Sequence, residues 1–186
     1  MIETYFEGNK RFIEKDFSQN PEHYQKLSTG QSPKALFIGC SDSRVNPERI
    51  VDAGMGEIFV HRNIGNIVAE NDPNIATVLE YAVDHLGVED VVIFGHSDCG
   101  AMKALEANAH GEYIPVWLDN VQNVKQNVTE PKESPKRLRE VEVENIRQQA
   151  KNLRSYPLIK KAEDDGKITI YGLYYDLVTG ELSKIV

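Results

Sequence analysis

Apolar positions along this chain fall into short unbroken runs, separated by longer stretches with a helical period. Residues 34 to 40 (KALFIGC), 57 to 63 (EIFVHRN) and 89 to 96 (EDVVIFGH) are runs without alternation, which marks parallel strands covered on both faces. A fourth run covers 167 to 176 (KITIYGLYYD). A TG turn then leads into 181 to 186 (ELSKIV), which should return antiparallel to it. Between the second and third runs, residues 72 to 87 read as one helix. Asp72 is its N-cap, Pro73 its first residue and Gly87 its stop, with Ile75, Val78, Leu79, Ala82, Val83 and Leu86 forming one stripe. Helical patterns also fit 100 to 109, 115 to 128 and 134 to 155. This alternation predicts an α/β fold with a central, mostly parallel sheet: four parallel strands and one antiparallel C-terminal strand, flanked by helices.

The first 33 residues differ. Ile2, Tyr5, Phe6, Phe12 and Ile13 give a partial helical period over 1 to 17, and 18 to 33 are polar enough for loop and short helix. We expect one domain over 1–186, with 1–33 as a helical arm packing on a partner subunit. The chain has 186 residues, enough for a real core, and no internal repeat or linker.

Charge and composition narrow the function classes. The net charge is −8, and the densest basic segment, PKRLRE at 135 to 140, is interleaved with glutamate. Nucleic acid and acidic membranes are therefore poor partners. No stretch approaches the ~18 apolar residues of a membrane span, and the first residues lack the apolar centre of a signal peptide. A cytoplasmic location is expected. There, two cysteines read as free thiols, redox groups or metal ligands sooner than as a structural disulfide.

Those two cysteines carry the candidate chemistry. Ligands of open α/β sheets bind beyond the carboxyl ends of the strands. ALFIGC ends in Cys40, VVIFGH ends in His96, and Cys99 follows three residues later where a helix begins. A helix N-terminus favours thiolate at Cys99. Two thiolates and an imidazole suit zinc, and three protein ligands leave a fourth position for water. Asp42, two residues after Cys40, either binds the metal or guards that position, and Arg44 can pair with it. Standing alone, each residue has a plainer reading: a buried small hydrophobe, a satisfied core histidine, an ordinary ion pair.

C-x-D-x-R at Cys40, Asp42 and Arg44, followed by H-x-x-C at His96 and Cys99, resembles the β-class carbonic anhydrases. GQSPKALFIGCSDSRVNPE, GEIFVHRNIGNIV, LEYAVDHLGV, VVIFGHSDCGAMKAL and GLYYDLVTGEL resemble family segments in the family's order, from about residue 8 to the end. The resemblance implies one Zn2+ per chain on Cys40, His96 and Cys99, and hydration of CO2 by hydroxide generated on that zinc. It implies catalytic roles for Asp42, which orients the nucleophile, and Arg44, which holds Asp42. In the family's closed form Asp42 turns to the zinc and Arg44 is released. It places Gln31, Val45, Phe59, Ile64, Tyr81 and Gly100 around the substrate. Gln31, Phe59 and Tyr81 come from the other subunit of a homodimer or tetramer. His85, four residues after Tyr81, is a possible proton shuttle. Phe37 stands where members with an inhibitory bicarbonate site carry tryptophan, while Gly39, Arg62 and Tyr175 resemble other parts of that site. Weak bicarbonate inhibition is therefore expected.

Two other functions fit the same residues: hydrolysis of carbon disulfide or carbonyl sulfide, and a non-catalytic zinc-stabilised interaction protein. A thiol redox role fits poorly, because neither cysteine lies in C-x-x-C.

Overall fold

Spatial order in the sheet departs from chain order, and that departure builds the site. The computed structural model describes residues 1–186. They form two units, Met1–Ser32 and Pro33–Val186. In the first, α1 (Ile2–Lys15) and α2 (Pro21–Ser28) are joined through a short 3-10 turn. Phe12, Phe17 and Tyr24 pack as an aromatic trio, with Phe17 and Tyr24 stacked at 4.4 Å. Neither helix has a buried residue.

The second unit holds a five-stranded sheet of order β2-β1-β3-β4-β5. Strands β1 (Ala35–Cys40), β2 (Ile58–Asn63), β3 (Asp90–His96) and β4 (Thr169–Tyr175) run parallel. The short β5 (Leu182–Lys184) pairs antiparallel with β4. This is the expected architecture. Central β1 is buried throughout and β3 is buried after its first residue. Strand β2 differs from the expectation of two covered faces: it is an edge strand and stays half-exposed. Strand β4 alternates: Ile170, Gly172 and Tyr174 are buried, while Tyr171, Leu173 and Tyr175 pack half-buried against the core on the other face.

One core side joins Leu36, Ile38, Val91 and Ile93 to Ile75 and Leu79 of α4 (Pro73–Glu80) and to Ile146 and Leu153 of α8 (Arg137–Leu153). The other joins Phe37, Val92 and Phe94 to Val45, with the short α3 (Pro47–Ile50) alongside. Asp72 caps α4, accepting from the Asn74 amide at 2.9 Å, and Gly87 stops the helix at φ +67°. Its second half, Tyr81–Leu86, widens into a π-helix. Cys99 precedes α5 (Gly100–Glu106). The expected helix at 115 to 128 is broken into α6 (Ile114–Leu118), a 3-10 turn and α7 (Gln122–Asn127). The breaks turn Leu118, Val121 and Val124 together onto Met102 and Leu105. Pro157 starts a further helix, α9 (Pro157–Asp164), that the periodicity did not separate. No helix is long and apolar enough to cross a membrane.

Candidate metal centre

Because β1 and β3 are parallel neighbours, their carboxyl ends arrive together. Gly39 pairs with Phe94, which leaves Cys40 and His96 as the last residues of adjacent strands. Cys99 joins them through a tight reversal in which Asp98 adopts φ +60°, a conformation that aspartate tolerates better than most residues. The Ser97 amide donates to the Tyr175 carbonyl (2.9 Å), and the Leu177 amide to Ser97 Oγ (2.8 Å). The Cys99 amide donates to Glu142 Oε1 (2.8 Å), whose other oxygen accepts from the Tyr174 hydroxyl (3.0 Å). Burial pushes the Glu142 carboxyl up, against the pull of those two hydrogen bonds.

Sγ of Cys40, a ring nitrogen of His96 and Sγ of Cys99 lie within 4.8 Å of one another, and all three residues are buried. Ligands of a tetrahedral zinc sit about 3.5 Å apart, so only a small closure is needed. His96 Nδ1 lies 2.8 Å from the Ser97 carbonyl, which fixes that nitrogen as the donor and leaves Nε2 with its lone pair. Nε2 is buried without a partner. The thiols share a proton unequally. A hydrogen bond from Cys99 draws Cys40 far below the usual thiol range, helped by His96 and by the Gly65 and Asp42 amides. Cys99 moves the opposite way, raised by its bond to Cys40 and by burial. The start of α5 acts on Cys99 in the sense expected of a helix N-terminus. The Ala101 and Met102 amides do pull it down, but they are outweighed. Two buried thiols this close cannot both ionise unaided, and a cation held between them removes that conflict. The donor set therefore fits a soft or borderline dication.

Beside the cluster, Asp42 and Arg44 form a two-pronged pair. Arg44 Nε donates to Asp42 Oδ1 (2.9 Å) and Nη2 to Oδ2 (2.7 Å), and the Arg44 amide adds a third bond at 2.9 Å. The guanidinium holds the Asp42 carboxyl well below the usual carboxylate range. Arg62 supports the same turn from β2, donating to the carbonyls of Cys40 (2.9 Å) and Asp42 (2.7 Å). Composition and spacing gave no signal for that role, because its acceptors are backbone atoms.

The remaining expected residues scatter. Gly100 adjoins Cys99 at the start of α5, with open space where a Cβ would be. Ile64 is half-exposed on the turn after β2. That turn is held by Asn63 bridging to both backbone atoms of Ile67, by Asn145 Nδ2 on Gly65 O (3.0 Å) and by Trp117 Nε1 on Ile64 O (2.8 Å). Val45 lies in the core with Phe37 and Phe94. Phe59 pairs with Leu36, four residues before Cys40, so roughly 13 Å of strand separates it from the cluster's level in its own chain. Phe59 packs on Tyr81 (ring centroids 5.9 Å), which in turn packs on His85 (5.5 Å). Gln31 lies exposed in the N-terminal unit, after α2. Phe37, Phe94 and Tyr175 form an aromatic cluster beneath the strand ends.

Comparison with known proteins agrees with this geometry. A family model described as Carbonic anhydrase matches residues 35–182. A carbonic anhydrase of Pseudomonas aeruginosa is 36% identical, over 96% of this chain and 85% of the relative. The solved β-carbonic anhydrase CcaA superposes with a TM-score of 0.92 at 32% identity, covering 98% of this chain and 94% of its own. A tetrameric β-carbonic anhydrase of Sordaria macrospora superposes at 0.90 with 32% identity, over 98% and 95% of the two chains. With the strand-end cysteines, the histidine and the aspartate–arginine pair in place, the chain belongs to the β-carbonic anhydrase family.

Proposed function

We propose that this enzyme interconverts CO2 and water with bicarbonate and a proton, using one zinc per chain held by Cys40, His96 and Cys99. The observation that carries this reading is the partnerless, buried Nε2 of His96, on a ring gathered with two buried thiols within 4.8 Å, next to an Asp42 carboxylate gripped by Arg44. Zinc, when bound there, supplies a Lewis acid that makes water nucleophilic near neutral pH.

The chain's own residues do the rest. Three protein ligands leave one position open. Asp42, kept ionised by Arg44, accepts a hydrogen bond from the nucleophile and so aims its lone pair at the CO2 carbon. The same carboxylate, if released from Arg44, would be free to serve as a further ligand to the metal and so close the site. CO2 is apolar and needs apolar walls. Val45, Ile64 and Gly100 serve from one chain. Gln31, Phe59 and Tyr81 serve the site of a second copy, and His85 relays the product proton. We infer too that the arm 1–33 packs on a partner subunit in a dimer or tetramer, as the tetrameric Sordaria macrospora relative makes reasonable. Thiol ligands suit a reducing compartment, and we place the enzyme in the cytoplasm.

Stopped-flow CO2 hydration with a pH indicator, at pH 7.5 and 8.5 on protein of measured zinc content, tests this. Zinc-dependent hydration at both values is expected. One zinc per chain without hydration would refute it and favour the sulfur-containing substrates or a non-catalytic zinc protein.

A further inference from the structure

Asp98 lies between two of the metal-site residues, in GHSDCG, and the chemistry above gives its side chain no task. Its contacts are specific. Arg44 Nη1 donates to Asp98 Oδ2 at 2.9 Å, and Arg44 Nη2 to the Asp98 backbone carbonyl at 3.2 Å. Lys103 on α5 pairs with the remaining carboxylate oxygen. We propose that Asp98 is a positioning residue of the gate: it fixes the Arg44 guanidinium in the orientation that grips Asp42, and so favours the open position. This rests on the reading of Asp42 as the gate.

Three features carry the inference. First, the bonds are compatible: Nε and Nη2 face Asp42 while Nη1 and Nη2 face Asp98, so one planar group is held on two edges at once. Second, the need is real. The Arg44 side chain is 48% exposed, against 16% for Asp42, so packing alone does not fix the guanidinium. Third, Asp98 stands at φ +60°, which glycine, asparagine and aspartate adopt most readily. Of these, glycine has no side-chain acceptor to offer Arg44. Lys103 touches neither Arg44 nor Asp42 and only pins the far oxygen of Asp98.

The test uses the full chain loaded with cobalt(II) in place of zinc. Thiocyanate, which binds the open position, is titrated by visible absorption, and kcat and KM for CO2 hydration are measured on the zinc form. Asp98→Gly removes the side chain and keeps the backbone conformation. It should weaken thiocyanate binding about two- to five-fold, the range of a half-exposed ion pair, and lower kcat alike with KM unchanged. Asp98→Asn keeps both the acceptor and the turn and should return both values to within about two-fold of the parent, as should Lys103→Met. Unchanged thiocyanate affinity in Asp98→Gly overturns the proposal. So does an asparagine variant as weak as the glycine one, or a Lys103→Met that reproduces the loss. A parent chain that binds no metal or hydrates no CO2 overturns the reading of the site as well. A fully active parent with an unaltered Asp98→Gly overturns this inference alone.

Discussion

At the scale of single residues, what the proposed mechanism requires of Asp42 is a charged acceptor at one fixed place. The two-pronged grip of Arg44 supplies both charge and place. Asp42→Asn keeps the shape but halves the grip and offers an N–H where the nucleophile needs an acceptor. Its kcat/KM should fall by about 100-fold, the lower end of proton-handling losses, while zinc content by metal analysis stays at one per chain. Cys40→Ser should behave differently, losing the metal itself, because a serine hydroxyl is a poor match for a soft ligand position. For His85, whose ring lies 5.5 Å from that of Tyr81, a shuttle role predicts that His85→Ala slows turnover in weak buffer and recovers with added imidazole. Equal rates in both buffers would remove it. The residues that the sequence made legible are those whose chemistry is in the side chain and whose place follows from a strand ending: Cys40, His96, Asp42. The backbone-holding role of Arg62, and Glu142 and Asp98 altogether, stayed hidden because each acts on backbone atoms or on a residue distant in sequence.

At the scale of elements, the site depends on how closely α8 approaches the sheet. Two sheet glycines make room for Ile146: a Cβ on Gly95 would meet its Cδ1 and Cγ1 at 2.6 Å, and one on Gly172 its Cγ2 at 2.5 Å. Gly95 immediately precedes His96, and α8 carries Glu142 to the Cys99 amide and Asn145 to the Gly65 carbonyl. Lifting α8 thus disturbs the cluster and the Ile64 turn together. Gly95→Ala should cost about 1–3 kcal/mol by overpacking, read from urea unfolding of the zinc-loaded protein. Combined with Ile146→Ala, which makes room, the loss should be smaller than the sum of the two single losses. Additive losses would mean that Ile146 is not what the new methyl meets. Strands and the α4 cap were readable because apolar runs, Asp72-Pro73 and Gly87 are local signals. The division of 115–128 into α6 and α7 was not, because it answers to Met102 and Leu105 on another helix. The π-helical turn at Tyr81–Leu86 likewise has no marker in the hydrophobic period.

At the scale of the whole molecule, the apolar surface is unevenly spent. In the N-terminal unit Ile2, Tyr5, Phe6 and Ile13 are exposed along one helix, and in the second unit Ile64 and Tyr81, two of the residues expected around the substrate, are exposed as well. Exposed large apolar groups gathered on an amphipathic helix signify a surface meant to be covered. The sequence made that arm visible as a partial helical period, but nothing in a single chain states what covers it. The second copy proposed above would account for the arm and for Phe59 and Tyr81 together, since Phe59 lies far down β2 from the cluster of its own chain and Tyr81 packs on it. Deleting 1–33 should therefore convert the assembly to smaller species by light scattering and reduce CO2 hydration at least about 100-fold, the cost of losing positioned groups from a site. Zinc content should stay at one per chain, because all three ligands lie in the unit Pro33–Val186. If the shortened chain kept full activity as a monomer, Phe59 and Tyr81 would be ordinary packing residues and the site would be complete within one chain. If it lost zinc along with activity, the arm would be needed for the fold itself rather than for assembly.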